Sequence, residues 1–558
     1  MKEKRAFPAF PAGGASEKKY RMAYFKLPAG VRDVLPEESA ALDAAQQVLR
    51  QKFASAGFAT VRTAGLEYYD TFACIDSPVD QAQMFKMTDK DGNLIVLRPD
   101  MTLACARIAA TKLQGARARL CYFSDIYDFS AGGNSDREVA QAGVEIFGEE
   151  GAESDAYAVA FAAECLRAVG LKDFIIDIGH VGFYKGLLEG SGLTPAAAEE
   201  IRGYINAKDL VNTQIALRAA GANARTQAAI LALPSLFGGA EVLQKAKGLT
   251  ENPTALAALS HLEKVYAYLK QMGAEGCVSF DLGTVKSLSY YSGMVFTGLA
   301  EGVGAPVLSG GRYDGLCAQF GRDLSAVGFA VGMMRVLRAG RARGAEKPHG
   351  PLNVALAKGR LASECADLFI RCGIRAEVLK EDTRKLVLET PDGKFRFFFV
   401  KPADVPTYVE YGVADIGVVG KDTLLEAEAD LYEMLDLRFE RCRLCVAGFP
   451  ALKDFASRPH LRVATKYAHT AKKLFASRGA DVEIIKLNGS IELAPLTGLA
   501  DVIFDIVQSG GTLRANGLEV LEEVFDISAR LVANKVSLKT RAGEILPLIA
   551  AMAGMTGE

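Results

Sequence analysis

Residues Asp505 to Gly517 read DIVQSGGTLRANG: a charged group near the end of an apolar run, then a hydroxyl- and glycine-rich turn, then the start of a helix. Val502, Ile503, Phe504, Ile506 and Val507 form a β-branched and aromatic run of the kind expected of a strand covered on both faces. Asp505 interrupts that run. Ser509, Gly510, Gly511 and Thr512 leave backbone N–H groups pointing at one spot, at the positive end of a helix that Leu513 opens, which makes an anion cradle. A carboxylate beside a phosphate seat suits ribose hydroxyls, so the pattern points to a phosphorylated sugar. An ordinary tight strand-to-helix turn, with glycines serving geometry alone and Asp505 capping a backbone group, fits the same residues.

The elements around this loop alternate quickly. LNVALA reads as a strand, LASECADLFIRC as a helix ended by Gly373, RFFFV as a strand, VPTYVEY as a helix ended by Gly412, and DIGVVG as a strand. That spacing predicts a parallel α/β layer. A basic Gly/Pro-bearing stretch, RAGRARGAEKPHGP, precedes it and marks a seam between Arg338 and Pro351. The other side of the seam differs. A helix from about Glu37 to Ala56 carries Leu42, Ala45, Leu49 and Phe53 on one stripe, and LCYFSDIYDF and REVAQAGVEIFG read as strands joined by the polar turn SAGGNSD. This predicts antiparallel α+β structure. In the second of those strands Ala140, Ala142, Val144 and Ile146 share a core face, while Gln141 and Glu145 share the other. At ~3.3 Å per residue these two polar groups stand ~13 Å apart, enough to hold both ends of an amino acid. A solvated sheet face has the same pattern.

With 558 residues the chain has room for more than two compact units, and its 65 basic and 67 acidic residues leave a net charge of −2 with no footprint for general nucleic-acid binding. The first 20 residues, MKEKRAFPAFPAGGASEKKY, read as a disordered tail without the apolar core of a signal peptide. No apolar run approaches the ~18 residues of a membrane helix. These features together predict a cytoplasmic protein with no nucleic-acid or membrane partner. The ten cysteines are scattered; Cys442 and Cys445, the one close pair, lie three apart on a predicted strand and so face opposite sides, a poor start for a zinc site.

KLPAGVRDVLP, LRPDMT, QAGVEIFG, SLSYYSGMVF and SGGRYDGL, in this order over about residues 26 to 330, resemble the catalytic core of the histidyl-tRNA synthetases. The resemblance implies a class II synthetase-like antiparallel sheet with flanking helices. It also implies a histidine site made by Asp100, Thr102, Gln141, Glu145, Tyr291 and Tyr313, with Asp100 and Gln141 on the α-ammonium and Glu145 and Tyr291 on the imidazole. Two departures speak against aminoacylation. Asp128 stands where the family has an arginine for the activated carboxylate and phosphate, and Lys286 stands where it has a catalytic arginine. The anticodon-binding domain is replaced by the α/β half. A synthetase-like core of this kind is similar to the regulatory subunit of short-form ATP phosphoribosyltransferases.

The α/β half is consistent with that. LAKGRL, DVPTYVEYGVADIGVVGKD, LDLRFERCRL, RVATKY, IIKLNGSIELAPL and DIVQSGGTLRANGL resemble the short-form catalytic subunit of the same enzyme family. The resemblance implies a tail over 1–20, a regulatory domain over 21–340, a linker over 341–350, and a two-lobed, periplasmic-binding-protein-like α/β catalytic domain over 351–558. It implies transfer of a phosphoribosyl group from 5-phosphoribosyl 1-pyrophosphate to N1 of ATP, with Mg2+ carried by the substrate and no protein ligand assigned to it. Asp505 then serves the ribose hydroxyls, and Ser509, Gly510, Gly511 and Thr512 the 5′-phosphate. Gln508 stands where relatives often carry an acid. Lys358, Arg360, Arg384 and Lys401 are the candidate catalytic cations and Lys466 a substrate-binding one, each with the alternative of an ordinary solvated side chain; relatives commonly have arginine in place of Lys401. Glu492 begins a loop within reach of the ribose or magnesium. Histidine as feedback inhibitor and a homo-oligomer complete the expectation. A histidine-responsive nucleotide-binding protein without transferase activity is the rival, and an active tRNA ligase a second one.

Overall fold

The computed structural model describes residues 27–73, 79–129, 136–206, 209–284, 291–342, 350–381, 383–458 and 460–556. The expected tail over 1–20, Lys286 and most of the expected linker lie outside the described residues.

The N-terminal half is built on a nine-stranded sheet, in spatial order Ala59–Thr60, Ala118–Tyr127, Glu138–Phe147, Ala326–Gly332, Leu308–Arg312, Met294–Ala300, Phe174–His180, Val278–Asp281 and Phe237–Gly238. Its central strands are antiparallel. The expected strand pair forms, with Ala118 opposite Phe147 and Tyr127 opposite Glu138. Ala142, Val144 and Ile146 pass into the core beneath the helix Gly151–Ala168, whose Ala152, Ala156, Ala160 and Ala163 let it lie close on the sheet. The helix Pro36–Ser55 starts on a proline, which needs no N–H at that position, and buries Ala45, Leu49 and Phe53 on the expected stripe.

The C-terminal half contains two mixed sheets. The first runs Val387–Glu389, Phe395–Val400, Leu352–Ala357, Ile416–Gly420, Ala529–Ala533, Tyr432–Asp436. The second runs Val482–Lys486, Leu461–Thr465, Val502–Val507, Cys442–Gly448, Glu519–Ile527. The expected parallel layer holds only at their centres: Leu352–Ala357 is parallel to both its neighbours, as is Leu461–Thr465. The expected layer of LNVALA, RFFFV and DIGVVG is thus parallel as expected, and every antiparallel pairing involves at least one strand outside it. Two of these pairings are long-range. After completing the second sheet the chain returns as Ala529–Ala533 and inserts between Ile416–Gly420 and Tyr432–Asp436, a pairing that local alternation does not encode. Cys442 and Cys445 pack against different clusters on the two sides of their strand.

The halves meet along a dense seam. Gly304 lies so close to the 409–412 turn that a Cβ there would stand 2.0 Å from the Glu410 carbonyl oxygen, so only glycine fits. Asn534 caps the helix Lys535–Thr540 by accepting from the Val536 and Ser537 N–H groups at 2.9 and 3.0 Å, and its amide nitrogen donates to the Gly304 carbonyl at 3.3 Å. From that helix Lys539 reaches into the N-terminal sheet. Its ammonium bonds Asp281, stands 3.3 Å from Asp177, and lies 4.0 Å over the Phe237 ring. All three charged groups are buried.

Removing one partner of such a cluster leaves an uncompensated buried charge, at a cost of about 3 to 5 kcal/mol. Lys539→Met is therefore expected to lower the thermal midpoint strongly, whereas Arg225→Ala, which breaks the exposed pair with Glu251, leaves it within error. Calorimetric melting curves compare the two; equal midpoints would show that the seam does not depend on Lys539.

Candidate active site and ligand pocket

Asp505 lies near the end of the strand Val502–Val507, half-buried, with Oδ1 accepting from the Ile506 N–H at 2.8 Å. Burial raises its pKa above the usual carboxylate value, the Ile506 N–H and the Lys466 ammonium oppose this, and Glu492 and Asp422 add to it. The following helix opens at Gly511, two residues earlier than expected from the sequence. Gly510 takes φ +69° just before it, which tightens the turn, and Ser509 Oγ accepts from the Gly511 N–H at 3.4 Å. The first N–H groups of a helix have no intrahelical acceptor, so those of Thr512 and Leu513 stay available at the loop. Arg514 folds back over this turn, with Nη1 3.2 Å from where a Cβ on Gly510 would stand. Sequence reading passed over Arg514, although four residues beyond Gly510 is one helical turn on the same face.

The candidate cations gather at strand ends. Ala357 pairs with Val400 in parallel strands, so Lys358 and Lys401, the next residues, emerge side by side at the carboxyl end of the first sheet. Val387 lies opposite Phe398 on the antiparallel neighbour, which brings the preceding Arg384 back to that same end. All three are exposed, with the Lys358 ammonium 5.8 Å over the Phe399 ring. Arg360 behaves differently. Its guanidinium donates to both oxygens of Glu440, in the segment joining the two sheets, so its charge is engaged there. On the second sheet Lys466 follows Leu461–Thr465, parallel to the Asp505 strand, with its ammonium 4.6 Å over the Tyr467 ring. Glu492 immediately precedes the short helix Leu493–Leu496 and acts electrostatically on Asp505; Gln508 is exposed. The structure thus brings Asp505, Lys466, Glu492 and the 509–512 loop together at the carboxyl ends of the second sheet, and Lys358, Arg384 and Lys401 together at the first. Asp422, absent from the sequence-based candidates, joins the two groups by accepting from the Tyr467 hydroxyl at 2.6 Å.

In the N-terminal half a cavity of about 660 Å³ is lined by Asp100, Thr102, Gln141, Tyr291 and Tyr313, five of the six residues expected at a histidine site. The sixth, Glu145, sits behind two of them, accepting from Thr102 Oγ1 at 2.9 Å and from the Tyr313 hydroxyl. Gly328 on the facing strand makes room for it: a Cβ there would stand 1.9 Å from Glu145 Oε2. Burial pushes the Glu145 carboxyl up to about 8 against the pull of these two hydroxyls. Asp100 is pushed up to about 6 by burial, opposed by the N–H groups of Leu103, Thr102 and Met101. The pocket thus holds acidic groups that a bound cation would ionise. Asp128, beyond the end of its strand, is felt electrostatically by Arg335. The same cavity is bounded by Asp430, Tyr432 and Lys535 of the C-terminal half.

The sequence profile of the histidyl-tRNA synthetase family matches residues 30–336, and that of the ATP phosphoribosyltransferase family matches residues 401–554. The chain is 38% identical over 323 residues to the ATP phosphoribosyltransferase regulatory subunit of Acetivibrio thermocellus, covering 57% of this chain and 77% of that protein. It is 52% identical over 198 residues to the ATP phosphoribosyltransferase of Caldanaerobacter subterraneus subsp. tengcongensis, covering 36% of this chain and 94% of that protein. Among solved structures, an ATP phosphoribosyltransferase regulatory subunit/histidyl-tRNA synthetase from Bacillus halodurans is similar, with 32% identity, a TM-score of 0.54, and coverage of 62% of this chain and 91% of that one.

A carboxyl that binds its proton more tightly in the folded than in the unfolded chain makes the fold weaken as pH rises between the two pKa values. For Glu145 that window runs from about 4.5 to about 8. Glu145→Gln keeps the shape and removes the titration. Its thermal midpoint relative to the unmodified chain is expected to rise with pH across that window and level off above it; a difference that does not change with pH would contradict the buried, proton-holding carboxyl.

Proposed function

The C-terminal half of the chain belongs to the ATP phosphoribosyltransferase family and the N-terminal half to the histidyl-tRNA synthetase-like family of that enzyme's regulatory subunit, and we propose a division of labour between them on this basis. The chain is an ATP phosphoribosyltransferase, the enzyme of the first step of histidine biosynthesis. In our reading residues 351–558 perform the transfer in a cleft between two lobes of periplasmic-binding-protein-like form. Residues 21–340 regulate it by binding histidine, with 341–350 as the link. A homo-oligomer in the cytoplasm is part of the same reading. Among the described residues no helix is long and apolar enough to cross a membrane.

The observation that carries the catalytic reading is the meeting of Asp505, Lys466 and the Ser509–Thr512 loop at the carboxyl ends of two parallel strands, where open α/β sheets take their ligands. Adenine N1 bears a lone pair, so no base has to prepare it. A bond forms between N1 and the anomeric carbon while the bond from that carbon to pyrophosphate breaks. Positive charge grows on the sugar and negative charge on the leaving group. The Asp505 carboxylate accepts from the ribose hydroxyls and opposes the sugar's charge. The loop N–H groups and Arg514 hold the 5′-phosphate, and Lys358, Arg384 and Lys401 face the pyrophosphate. Lys401 offers a point charge where a guanidinium would offer a fork, which makes its contact weaker than an arginine's at that position. In our reading Mg2+ arrives on the pyrophosphate, with no protein ligand assigned to it. So bound, the ion neutralises the leaving group.

Purified protein given ATP, 5-phosphoribosyl 1-pyrophosphate and Mg2+ is expected to form phosphoribosyl-ATP, followed by its ultraviolet absorbance. Asp505→Asn is expected to fold normally and lose on the order of 10² in rate, roughly 3 kcal/mol, the scale of one preorganised electrostatic group. Nucleotide binding without product would favour a binding protein over a transferase, and normal turnover in Asp505→Asn would leave Asp505 as a backbone cap.

A further inference from the structure

The helix Lys421–Ala427 leaves the first sheet of the C-terminal half, and its first two residues face different neighbours. The Lys421 ammonium is 3.0 Å from Asp209 Oδ2, in the N-terminal half, and 2.6 Å from Glu433 Oε2. Lys421, Asp209 and Glu433 keep only 12%, 8% and 11% of their side-chain exposure. Asp209 in turn caps the helix Leu210–Ala219, accepting from the Asn212 N–H at 3.0 Å. Asp422, the next residue, turns to the second sheet and accepts from the Tyr467 hydroxyl at 2.6 Å. Tyr467 carries the Lys466 ammonium over its ring. Its N–H donates to Thr465 Oγ1 at 2.8 Å, and that hydroxyl donates at 2.6 Å to the carbonyl of Phe504, the residue before Asp505. One turn further along, Glu426 accepts from the His469 and Thr470 N–H groups at 3.1 and 3.0 Å, capping the helix Ala468–Ser477 of the second sheet.

We propose that the start of this helix is a relay that positions Lys466 and Asp505 from the N-terminal half: Asp209 holds Lys421, the adjacent Asp422 holds Tyr467, and Tyr467 holds the Lys466 ammonium and, through Thr465, the backbone ahead of Asp505. Asp209, Lys421, Asp422 and Tyr467 are positioning residues in this scheme, since each acts through another group. The physical coupling is the confined charge on Lys421. If the helix capped by Asp209 shifts, Lys421 is drawn with it, because parting would leave the buried Asp209 carboxylate without its ammonium and Lys421 held by Glu433 alone. Asp422 is one peptide bond away and is carried along. Displacing its carboxylate from the Tyr467 hydroxyl frees the ring on which Lys466 rests. The Glu426 cap keeps the two sheets in contact while this happens, so the movement is delivered to Tyr467 and is not lost in a general opening.

The relay rests on the transferase reading for one of its two readouts, kcat/KM for phosphoribosyl pyrophosphate; the other, the affinity for that compound by calorimetry, does not need turnover. Tyr467→Phe keeps the ring and removes only the hydroxyl. Asp209→Asn keeps an acceptor able to cap the helix but removes the charge facing Lys421. Each is expected to lower both readouts roughly three- to tenfold, with melting curves showing folded protein. The double variant is expected to be no worse than the more impaired single one, because both act on one chain of contacts. Losses that multiply in the double variant would overturn the relay, as would Tyr467→Phe with unaltered kcat/KM and affinity. An unmodified chain that binds phosphoribosyl pyrophosphate without transferring it would overturn the transferase reading alone, and the affinities of the three variants would still decide the relay.

Discussion

A lysine ammonium buried against two carboxylates fixes how the two halves of this chain sit on each other. Lys539 comes from the C-terminal half, Asp281 and Asp177 from the N-terminal sheet. Such a cluster contributes little net stability, because desolvating three charges offsets most of their attraction. Its consequence is geometric: any other docking angle leaves at least one charge buried without a partner. The Asn534 cap and the Gly304 contact repeat the constraint with hydrogen bonds and with close backbone packing. A cavity follows from that docking whose walls belong to both halves, with Asp100 and Gln141 on one side and Asp430, Tyr432 and Lys535 on the other. A small molecule seated in that cavity therefore meets residues of both halves.

The two sites handle charge in opposite ways. The pocket buries Glu145 and Asp100 where their ionised forms are disfavoured, which costs stability near neutral pH and is relieved by a cationic ligand. The proposed transferase site leaves Lys358, Arg384 and Lys401 exposed at one set of strand ends, where a highly anionic substrate would meet them, and half-buries Asp505 at the other. Between these strand ends stands Asp422, whose bond to Tyr467 ties the sheet that carries the cations to the sheet that carries the 509–512 loop.

Much of this was legible in the sequence wherever the signal is local. Period-two alternation placed Gln141 and Glu145 on one face with Val144 and Ile146 on the other, and the strand bears this out. The Asp505 loop was placed correctly after its strand, though an ordinary tight turn fits the same residues, and the start of its helix was misplaced by two residues because Gly510, in the left-handed region, closes the turn earlier. What escaped depends on partners distant in sequence. The first sheet is mixed in part through the late return of Ala529–Ala533, and the second through Cys442–Gly448, which runs antiparallel to both its neighbours. Gly328 looks like one more strand glycine until Glu145 is placed beside it. Lys539, Lys421 and Asp422 read as ordinary charged residues near helix starts or ends, and only the docking of the halves and of the two sheets gives them their roles.

The central claim is that one polypeptide carries both the transferase and its histidine sensor, and the most direct measurement is the initial rate of phosphoribosyl-ATP formation by the intact chain as free histidine is raised, set beside histidine binding to the same preparation by calorimetry. The account predicts a saturable fall in rate whose midpoint coincides with the binding midpoint, as linkage between a ligand pocket and a catalytic site requires. A rate that stays constant through concentrations that saturate the pocket would contradict it.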